Sequence, residues 1–222
     1  MNIYAPKAIL FDLDGTLVDT APDFFDVVNS LRQELGKPVL PNDDIRKQVS
    51  NGGAALTQLT WEVERDHPQF MEFRNILLDR YSGYLGCGSA YFDGFEVVLQ
   101  QLEQQDIAWG IVTNKPRRFT EPLLAKLGIH TRSLICADDL EHAKPDPEGL
   151  LKCAAELGVD AAQCWYVGDH LRDIQAGHAA TMFTIAAEFG YIEDHDSAES
   201  WQADAVIANP AALLTLLQQA SA

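Results

Sequence analysis

The chain has 222 residues, which is long enough for one large domain or for a core domain that carries an insertion. Hydrophobic residues make up 47% of the chain, and this proportion indicates a packed globular core. The net charge is −17, with 16 basic and 33 acidic side chains, so binding to nucleic acid or to an anionic membrane is not expected. No apolar run approaches the roughly 20 residues of a membrane helix, and residues 1–7 do not show the pattern of a signal peptide.

Six apolar runs predict strands, and helical periodicity fills the stretches between most of them. This alternation favours parallel strands joined by right-handed helical crossovers. We therefore predict an α/β fold with a Rossmann-like parallel sheet core and helices on both faces. The predicted strands are Ala8–Phe11, Ala108–Val112, Leu134–Cys136, Trp165–Val167, Met182–Ile185 and Ala205–Ile207, and the predicted helices span about 94–104, 119–127, 147–157, 172–178 and 210–219.

The segment between the first two predicted strands is too long for a single crossover. Residues 17–90 contain no convincing strand, and their apolar spacing is helical. We predict an all-helical cap at residues 19–89, inserted into a core formed by residues 1–18 and 90–222. The predicted cap helices lie near 22–35, 42–65 and 69–85.

The four cysteines are scattered, and no Cys-x-x-Cys pair occurs. This spacing favours buried thiols over zinc ligands or disulfides. Free thiols are typical of a reducing compartment, so we expect a cytoplasmic protein. The oligomeric state stays open between monomer and homodimer. An exposed Trp201 or the C-terminal helix either packs on a partner or closes the core. The cysteines are Cys87, Cys136, Cys153 and Cys164.

Two carboxylates, Asp12 and Asp14, follow the first predicted strand with one residue between them. Side chains alternate along an extended segment, so both point the same way at the carboxyl end of the strand, where open α/β sheets bind ligands. Their repulsion requires a cation or a shared proton. The pair suits a nucleophilic carboxylate, a neighbouring acid or base and a divalent metal. Taken alone, the pair is equally well interpreted as a polar loop.

Three further polar motifs follow the Asp-x-Asp pair in the chain. One ends the second predicted strand, one places a lysine before a proline, and one follows a later strand with Gly-Asp and a second Asp four residues on. Together the four motifs resemble the signature of the haloacid dehalogenase-type phosphatases, and the resemblance covers essentially the whole chain. It implies a helical cap over the active site, which favours small substrates. The motifs are Asp12–Thr16, Trp109–Lys115, Lys144–Pro147 and Val167–Asp173.

The resemblance also implies catalytic roles. Asp12 would attack phosphorus and form an aspartyl-phosphate, and Asp14 would protonate the leaving alcohol and then deprotonate water. Thr113 would donate hydrogen bonds to the phosphoryl oxygens, and Lys144 would offer them a positive charge. A strand-end threonine that caps a turn is the alternative interpretation of Thr113.

A magnesium site is implied by the same resemblance. Asp12, the backbone carbonyl of Asp14 and Asp169 would supply an oxygen shell that suits Mg²⁺. Asp173 lies one helical turn after Asp169 and would orient the ligands or cap the next helix. His170 departs from the family pattern, which has a small residue here. It is interpreted as a residue at the rim of the site, with a zinc ligand or a proton shuttle as alternatives.

The predicted reaction is hydrolysis of a small phosphorylated metabolite by a Mg²⁺-dependent phosphatase. The chain resembles bacterial phosphoglycolate phosphatases, the preferred interpretation, and also the phosphatases of N-acetylmuramic acid 6-phosphate in cell-wall recycling. A sugar phosphomutase or a non-catalytic regulatory protein is a weaker alternative. The basic run at residues 115–118 is either a solvated helix start or a phosphate-attracting rim. Predicted substrate contacts come from Asn114, Thr16, Gly52, Gly53 and Arg46, the glycines having a helix kink as their alternative.

Overall fold

The computed structural model describes residues 3–220. The outermost residues of the predicted core, 1–2 and 221–222, lie outside this range. Within it the strands are β1 Ala8–Phe11, β2 Val18–Asp19, β3 Ala90–Tyr91, β4 Ala108–Val112, β5 Leu134–Ile135, β6 Cys164–Gly168, β7 Phe183–Ala187 and β8 Ala205–Ile207. The α-helices are α1 Ala21–Glu34, α2 Asn42–Arg46, α3 Gly52–Trp61, α4 Phe70–Ser82, α5 Phe95–Gln104, α6 Arg117–Leu127, α7 Glu148–Leu157, α8 Leu171–Ala179 and α9 Ala211–Ala220.

Six of the strands form one parallel sheet in the order β5-β4-β1-β6-β7-β8. Strand β1 is central, and its side chains alternate between two apolar layers. Ile9 and Phe11 pack against α5, α6 and α9, whereas Ala8 and Leu10 pack against α7 and α8. Helices therefore cover both faces, which confirms the predicted Rossmann-like α/β class.

Helices α1 to α4 lie between β2 and β3 and surround an apolar cluster of their own. Phe24, Leu56 and Leu77 belong to this cluster, and Phe119 and Tyr191 from the sheet-bearing part of the chain join it. We call α1 to α4 with their connections the helical segment. Its division from the rest of the chain at residues 19 and 89 stays a prediction.

Four local expectations are corrected by the structure. The helix expected over 42–65 is two helices, because the chain turns at Gly52 with a positive φ of 72°. Strands β2 and β3, an antiparallel pair of two residues each, had no detectable sequence periodicity. Trp201 is buried in an apolar cluster and its indole donates to Asp196, so it is not exposed as expected, and of its two interpretations it closes the core. Cys87 is exposed, whereas the other three cysteines are buried as expected.

Among the described residues, no helix has both the length and the apolar character needed to cross a membrane.

Candidate active site

The carboxyl ends of three neighbouring strands bring the predicted motifs together. Asp12 follows β1, Thr113 follows β4 and Asp169 follows β6, and β1 pairs with both other strands. Parallel strands end at the same edge of a sheet, so these side chains converge there. The Asp12 amide still donates to the Val167 carbonyl at 2.9 Å, which extends the β1–β6 ladder up to the site.

Lys144 lies at the centre of this site and is buried. Its Nζ lies 2.8 Å from Asp12 Oδ1 and 2.7 Å from Asp173 Oδ1, and it donates to the Val112 carbonyl and the Tyr166 hydroxyl. Burial by itself would lower the pKa of Lys144, but the two carboxylates outweigh burial and raise it. The ammonium is thus a fixed positive charge beside Asp12.

Three carboxylates gather in the same place. One oxygen each from Asp12, Asp169 and Asp173 lies within 4.8 Å of the others. Burial, as the largest cause, raises the pKa of Asp12 to about 6 and that of Asp169 to about 7, with additional repulsion from neighbouring carboxylates. Buried carboxylates in mutual repulsion are stabilised by a cation in contact with them, and an all-oxygen set is what hard divalent cations prefer. The residues present therefore suit a divalent metal.

Asp169 is held in one orientation by several donors. Its Oδ1 accepts from Thr16 Oγ1 at 3.0 Å, and its Oδ2 accepts from the Tyr191 amide at 2.9 Å. Two glycines leave room for it: a Cβ built on Gly15, where φ is +83°, would lie 2.2 Å from Asp169 Oδ2. A Cβ on Gly190 would lie 2.2 Å from Asp169 Cβ. Gly15 and Thr16 of the first motif thus position the carboxylate of Asp169, which belongs to the fourth motif.

Asp14 points away from this carboxylate cluster and toward the helical segment. Its Oδ1 accepts from Thr20 Oγ1 at 2.6 Å and lies 2.7 Å from Lys115 Nζ. Lys115 also donates to the Tyr81 hydroxyl of α4 at 2.8 Å. Burial opposes the charge of Lys115, but Asp14 and Tyr81 raise its pKa. Of the basic run at residues 115–118, Lys115 reaches the site as the partner of Asp14.

A cavity of about 280 Å³ lies between the edge of the sheet and the helical segment. Its wall includes most of the side chains that the motifs predicted, together with the turn before α3 and part of α4. The sheet edge and the helical segment thus enclose a space for a small molecule. The predicted residues in the wall are Asp12, Asp14, Gly52, Gly53, Thr113, Asn114 and Lys144.

Two predicted substrate contacts lie outside this wall. Thr16 is fully buried and donates to Asp169, so it has no access to the cavity. Arg46 donates from both terminal nitrogens to the two Asp19 oxygens, at 2.8 and 2.9 Å, and stacks over the Tyr191 ring. Its charge is already neutralised away from the cavity. The sequence gives the charge of Arg46 but not its partner.

Asn114 lies in the wall, but its side chain is hydrogen-bonded to the backbone of Lys144. Its Oδ1 accepts from the Lys144 amide and its Nδ2 donates to the Lys144 carbonyl, both at 3.0 Å. This reciprocal pair positions the backbone of Lys144. Thr113 Oγ1 accepts from the Lys115 amide at 3.1 Å, and this bond leaves its hydroxyl proton available as a donor into the cavity.

His170 also lies in the wall, at the N-cap of α8. Its Nδ1 accepts from the Arg172 amide at 3.2 Å, while Asp173 closes the capping box by accepting from the His170 amide at 3.1 Å. Burial, followed by the charge of Arg172, lowers the pKa of His170. The residue is not part of the three-carboxylate group, a position that agrees with its interpretation as a rim residue.

Sequence reasoning missed several side chains of the site. Ser50, in the turn before α3, donates to Asp169 Oδ2 at 3.0 Å, and Tyr166 bridges Lys144 and Asp173. Arg74 of α4 lies in the cavity wall. A signal for Arg74 was present, because it precedes the apolar Leu78 by four residues and so shares its helix face.

A family model described as haloacid dehalogenase-like hydrolase matches residues 9–187. The chain belongs to this family. The Pseudomonas aeruginosa "N-acetylmuramic acid 6-phosphate phosphatase" is 39% identical over 96% of this chain and 96% of its own length. A "phosphoglycolate phosphatase" of Xanthomonas campestris pv. campestris is 43% identical over 92% of this chain and 93% of its own.

Solved structures agree with this assignment. The crystal structure of a predicted phosphoglycolate phosphatase from Haemophilus somnus superposes with a TM-score of 0.82 at 26% identity, covering 95% of this chain and 97% of that one. The family predicted from the four motifs is confirmed. So is the predicted enzyme class, a phosphoric monoester hydrolase.

Proposed function

We propose that this enzyme hydrolyses a small phosphomonoester through an aspartyl-phosphate on Asp12. The observation that carries the proposal is the position of Asp12 in the cavity wall, with Lys144 Nζ at 2.8 Å and Thr113 beside it. An oxygen of Asp12 attacks phosphorus as the ester bond to the alcohol breaks. The positive charge of Lys144 and the hydroxyl of Thr113 stabilise the phosphoryl oxygens in this step.

Asp14 is the proposed acid and base. In its acid form it gives a proton to the departing alcohol oxygen. As a carboxylate it then takes a proton from the water that attacks the aspartyl-phosphate, which releases inorganic phosphate and restores Asp12. Lys115 and Thr20 hold the Asp14 carboxylate near the cavity. Asn114 and Thr16 act in this proposal through Lys144 and Asp169 rather than through substrate contacts.

We propose Mg²⁺ as the divalent cation, held by Asp12, Asp169 and the Asp14 carbonyl, with Asp173 orienting the site. Oxygen ligands of this kind suit Mg²⁺. When bound, the cation would neutralise charge on the phosphate. The carboxylate cluster of Asp12, Asp169 and Asp173 supports this proposal.

Metal affinity is expected to rise with pH between about 5 and 8. The pKa values of about 6 for Asp12 and about 7 for Asp169 mean that both carboxyl groups carry protons at pH 5 in the metal-free protein. A cation must displace those protons, so its affinity falls by up to tenfold per proton per pH unit below each pKa. Calorimetric Mg²⁺ titrations in buffers of different ionisation enthalpy measure the protons released. Affinity that is independent of pH would contradict the assignment.

The carboxyl groups of Asp12 and Asp169 also predict how the stability of the metal-free protein depends on pH, with a trend opposite to that of metal affinity. Both pKa values lie above the value near 3.9 expected in an unfolded chain, so between pH 4 and 7 the folded state binds more protons than the unfolded state. The free energy of unfolding of the metal-free protein should therefore fall as pH rises across this window. Urea unfolding at several pH values checks this, and saturating Mg²⁺ should reduce the decline.

As substrate we propose 2-phosphoglycolate first. The Xanthomonas relative bears that activity in its name at 43% identity, and a cavity of about 280 Å³ is small. N-acetylmuramic acid 6-phosphate is the second candidate. The Pseudomonas relative matches nearly the whole chain, and apolar side chains such as Phe24, Leu78 and Phe119 line the cavity, where they would contact the methyl groups of an amino sugar.

Phosphate release from both esters, measured in parallel with Mg²⁺, tests the proposal. We expect kcat/KM to differ by roughly a hundredfold, about 2.7 kcal/mol of differential transition-state binding. Preference for 2-phosphoglycolate supports the first candidate, and preference for the amino sugar supports the second. Failure to hydrolyse either would contradict both substrates. Removing Mg²⁺ with a chelator is the control for metal dependence.

We also propose a reducing, cytoplasmic location. Cys87, Cys136, Cys153 and Cys164 are free thiols in the structure, and this supports the proposal.

A further inference from the structure

Both carboxylates in the cavity wall already have basic partners. Lys144 pairs with Asp12 at 2.8 Å, and Lys115 pairs with Asp14 at 2.7 Å. A third basic side chain of the wall, Arg172, donates to Asn51 Oδ1 at 3.4 Å. In a chain with a net charge of −17, the cavity wall nevertheless has more cations than anions. This excess positive charge is suited to an anionic ligand.

Arg74 is the remaining basic side chain of the wall. Within residues 3–220 its guanidinium has no ion pair or hydrogen bond to another side chain, although 33 acidic residues occur in the chain. It lies half-buried on α4, one turn before Leu78 and two turns before Tyr81, which also line the cavity. The helix packing therefore directs Arg74 to the cavity rather than to a carboxylate of the protein.

The start of α3 lies beside Arg74. A Cβ built on Gly53 would lie 3.8 Å from Arg74 Nε. The side chain of Asn51, the N-cap, does not cap the helix but donates to Glu193 at 2.9 Å. A helix start carries partial positive charge on its amides, so a cation beside it is unfavourable unless an anion lies between the two. Among residues 3–220 no carboxylate forms an ion pair or a hydrogen bond with Arg74.

We propose that Arg74 binds a carboxylate of the substrate and so selects phosphomonoesters that carry an acid group. The inference rests on the proposed function, because the phosphate end of the same molecule would occupy the wall at Asp12. Arg74 thus replaces Arg46 as the arginine of the helical segment that contacts the substrate. The guanidinium can hold a carboxylate through two parallel hydrogen bonds, which gives direction as well as charge.

The test uses two pairs of esters that differ in the acid group. One pair is 2-phosphoglycolate and 2-hydroxyethyl phosphate, and the other is N-acetylmuramic acid 6-phosphate and N-acetylglucosamine 6-phosphate. The variant is Arg74→Met, which keeps much of the apolar stem and removes the charge. The matched control is Arg80→Met on the same helix, because Arg80 pairs with Glu34 outside the cavity wall.

In Arg74→Met we expect kcat/KM for the preferred acidic ester to fall roughly 10- to 100-fold, mainly through KM, since a charge-assisted hydrogen bond is lost. The neutral partner ester should change by less than about threefold, so that the preference for the acid largely disappears. Arg80→Met should keep the wild-type preference. Equal losses for the acidic and neutral esters, or no loss for either, would overturn the proposal.

Affinities measured without turnover distinguish the role of Arg74 from the proposed catalytic function. The affinity of each acidic ester for Asp12→Asn and for Asp12→Asn with Arg74→Met can be measured by calorimetry without turnover. A tenfold or greater weakening in the double variant supports Arg74 even if the wild-type enzyme hydrolyses none of the four esters, a result that would contradict the proposed function alone. Equal affinities of the two variants would overturn the role of Arg74.

Discussion

Replacing Asp12 by Asn is expected to lower kcat by roughly 10⁴-fold or more, because an amide cannot act as the attacking carboxylate. Asn has nearly the shape of Asp, and its oxygen can still accept from the Leu13 amide, a bond of 2.7 Å in the structure. Folding should therefore persist. Phosphate release with the preferred ester measures the effect, and circular dichroism checks the fold.

The proposed aspartyl-phosphate allows a second measurement of this prediction. Rapid quenching of the wild-type enzyme during turnover should yield a phosphorylated peptide that contains Asp12, which mass spectrometry identifies. Asp79→Asn, at an exposed position on α4, is a matched control and should retain both turnover and the intermediate. Turnover by Asp12→Asn within tenfold of wild type would exclude Asp12 as the nucleophile.

Replacing Lys144 by Met should destabilise the metal-free protein by about 3–5 kcal/mol at pH 8, because it leaves a buried ion-pair network without its cation. Asp12 and Asp173 both lie within 2.8 Å of Lys144 Nζ, and the exposed fraction of the Lys144 side chain is 1%. Urea unfolding measures the loss. Activity should fall as well, since the phosphate loses a fixed positive charge.

The pH dependence distinguishes charge from packing in this variant. Burial already raises the pKa of Asp12 to about 6 with Lys144 present, and removing the cation raises it further. The destabilisation should therefore be smaller at pH 5, where Asp12 is neutral, than at pH 8. Lys152→Met, at an exposed position on α7, is the control and should cost less than about 0.5 kcal/mol at either pH. A loss under 1 kcal/mol at pH 8 would contradict the role of Lys144 as counter-ion.

The first motif was predictable because its consequences are local. An apolar run that ends in Asp-x-Asp-Gly fixes a strand, a turn and two carboxylates at the edge of a sheet, whichever helices pack around it. The strand order then places Thr113 and Asp169 beside Asp12, as expected for neighbouring parallel strands. Strands β2 and β3 were missed because two residues have no periodicity to detect.

The helical segment shows where prediction from the sequence ends. Arg46 ends α2, and Arg74 lies in the middle of α4. From the sequence alone, the charge of either arginine would suit a contact with an anionic substrate. In the structure Arg46 pairs with Asp19, while Arg74 lies in the cavity wall. Asp19 comes from β2, far from Arg46 in the chain, so no local pattern reveals their contact.

The sequence by itself thus determined the family, the α/β class and the sheet edge at which the strand-end carboxylates gather. The tertiary structure decided which polar side chains reach the cavity and which support others, as Thr16 supports Asp169 and Asn114 supports Lys144. The physical reason is that strand-end motifs fix the direction of their own side chains through backbone geometry. The direction of a helix side chain into a cavity depends on how the whole helix packs, and that packing is a property of distant residues.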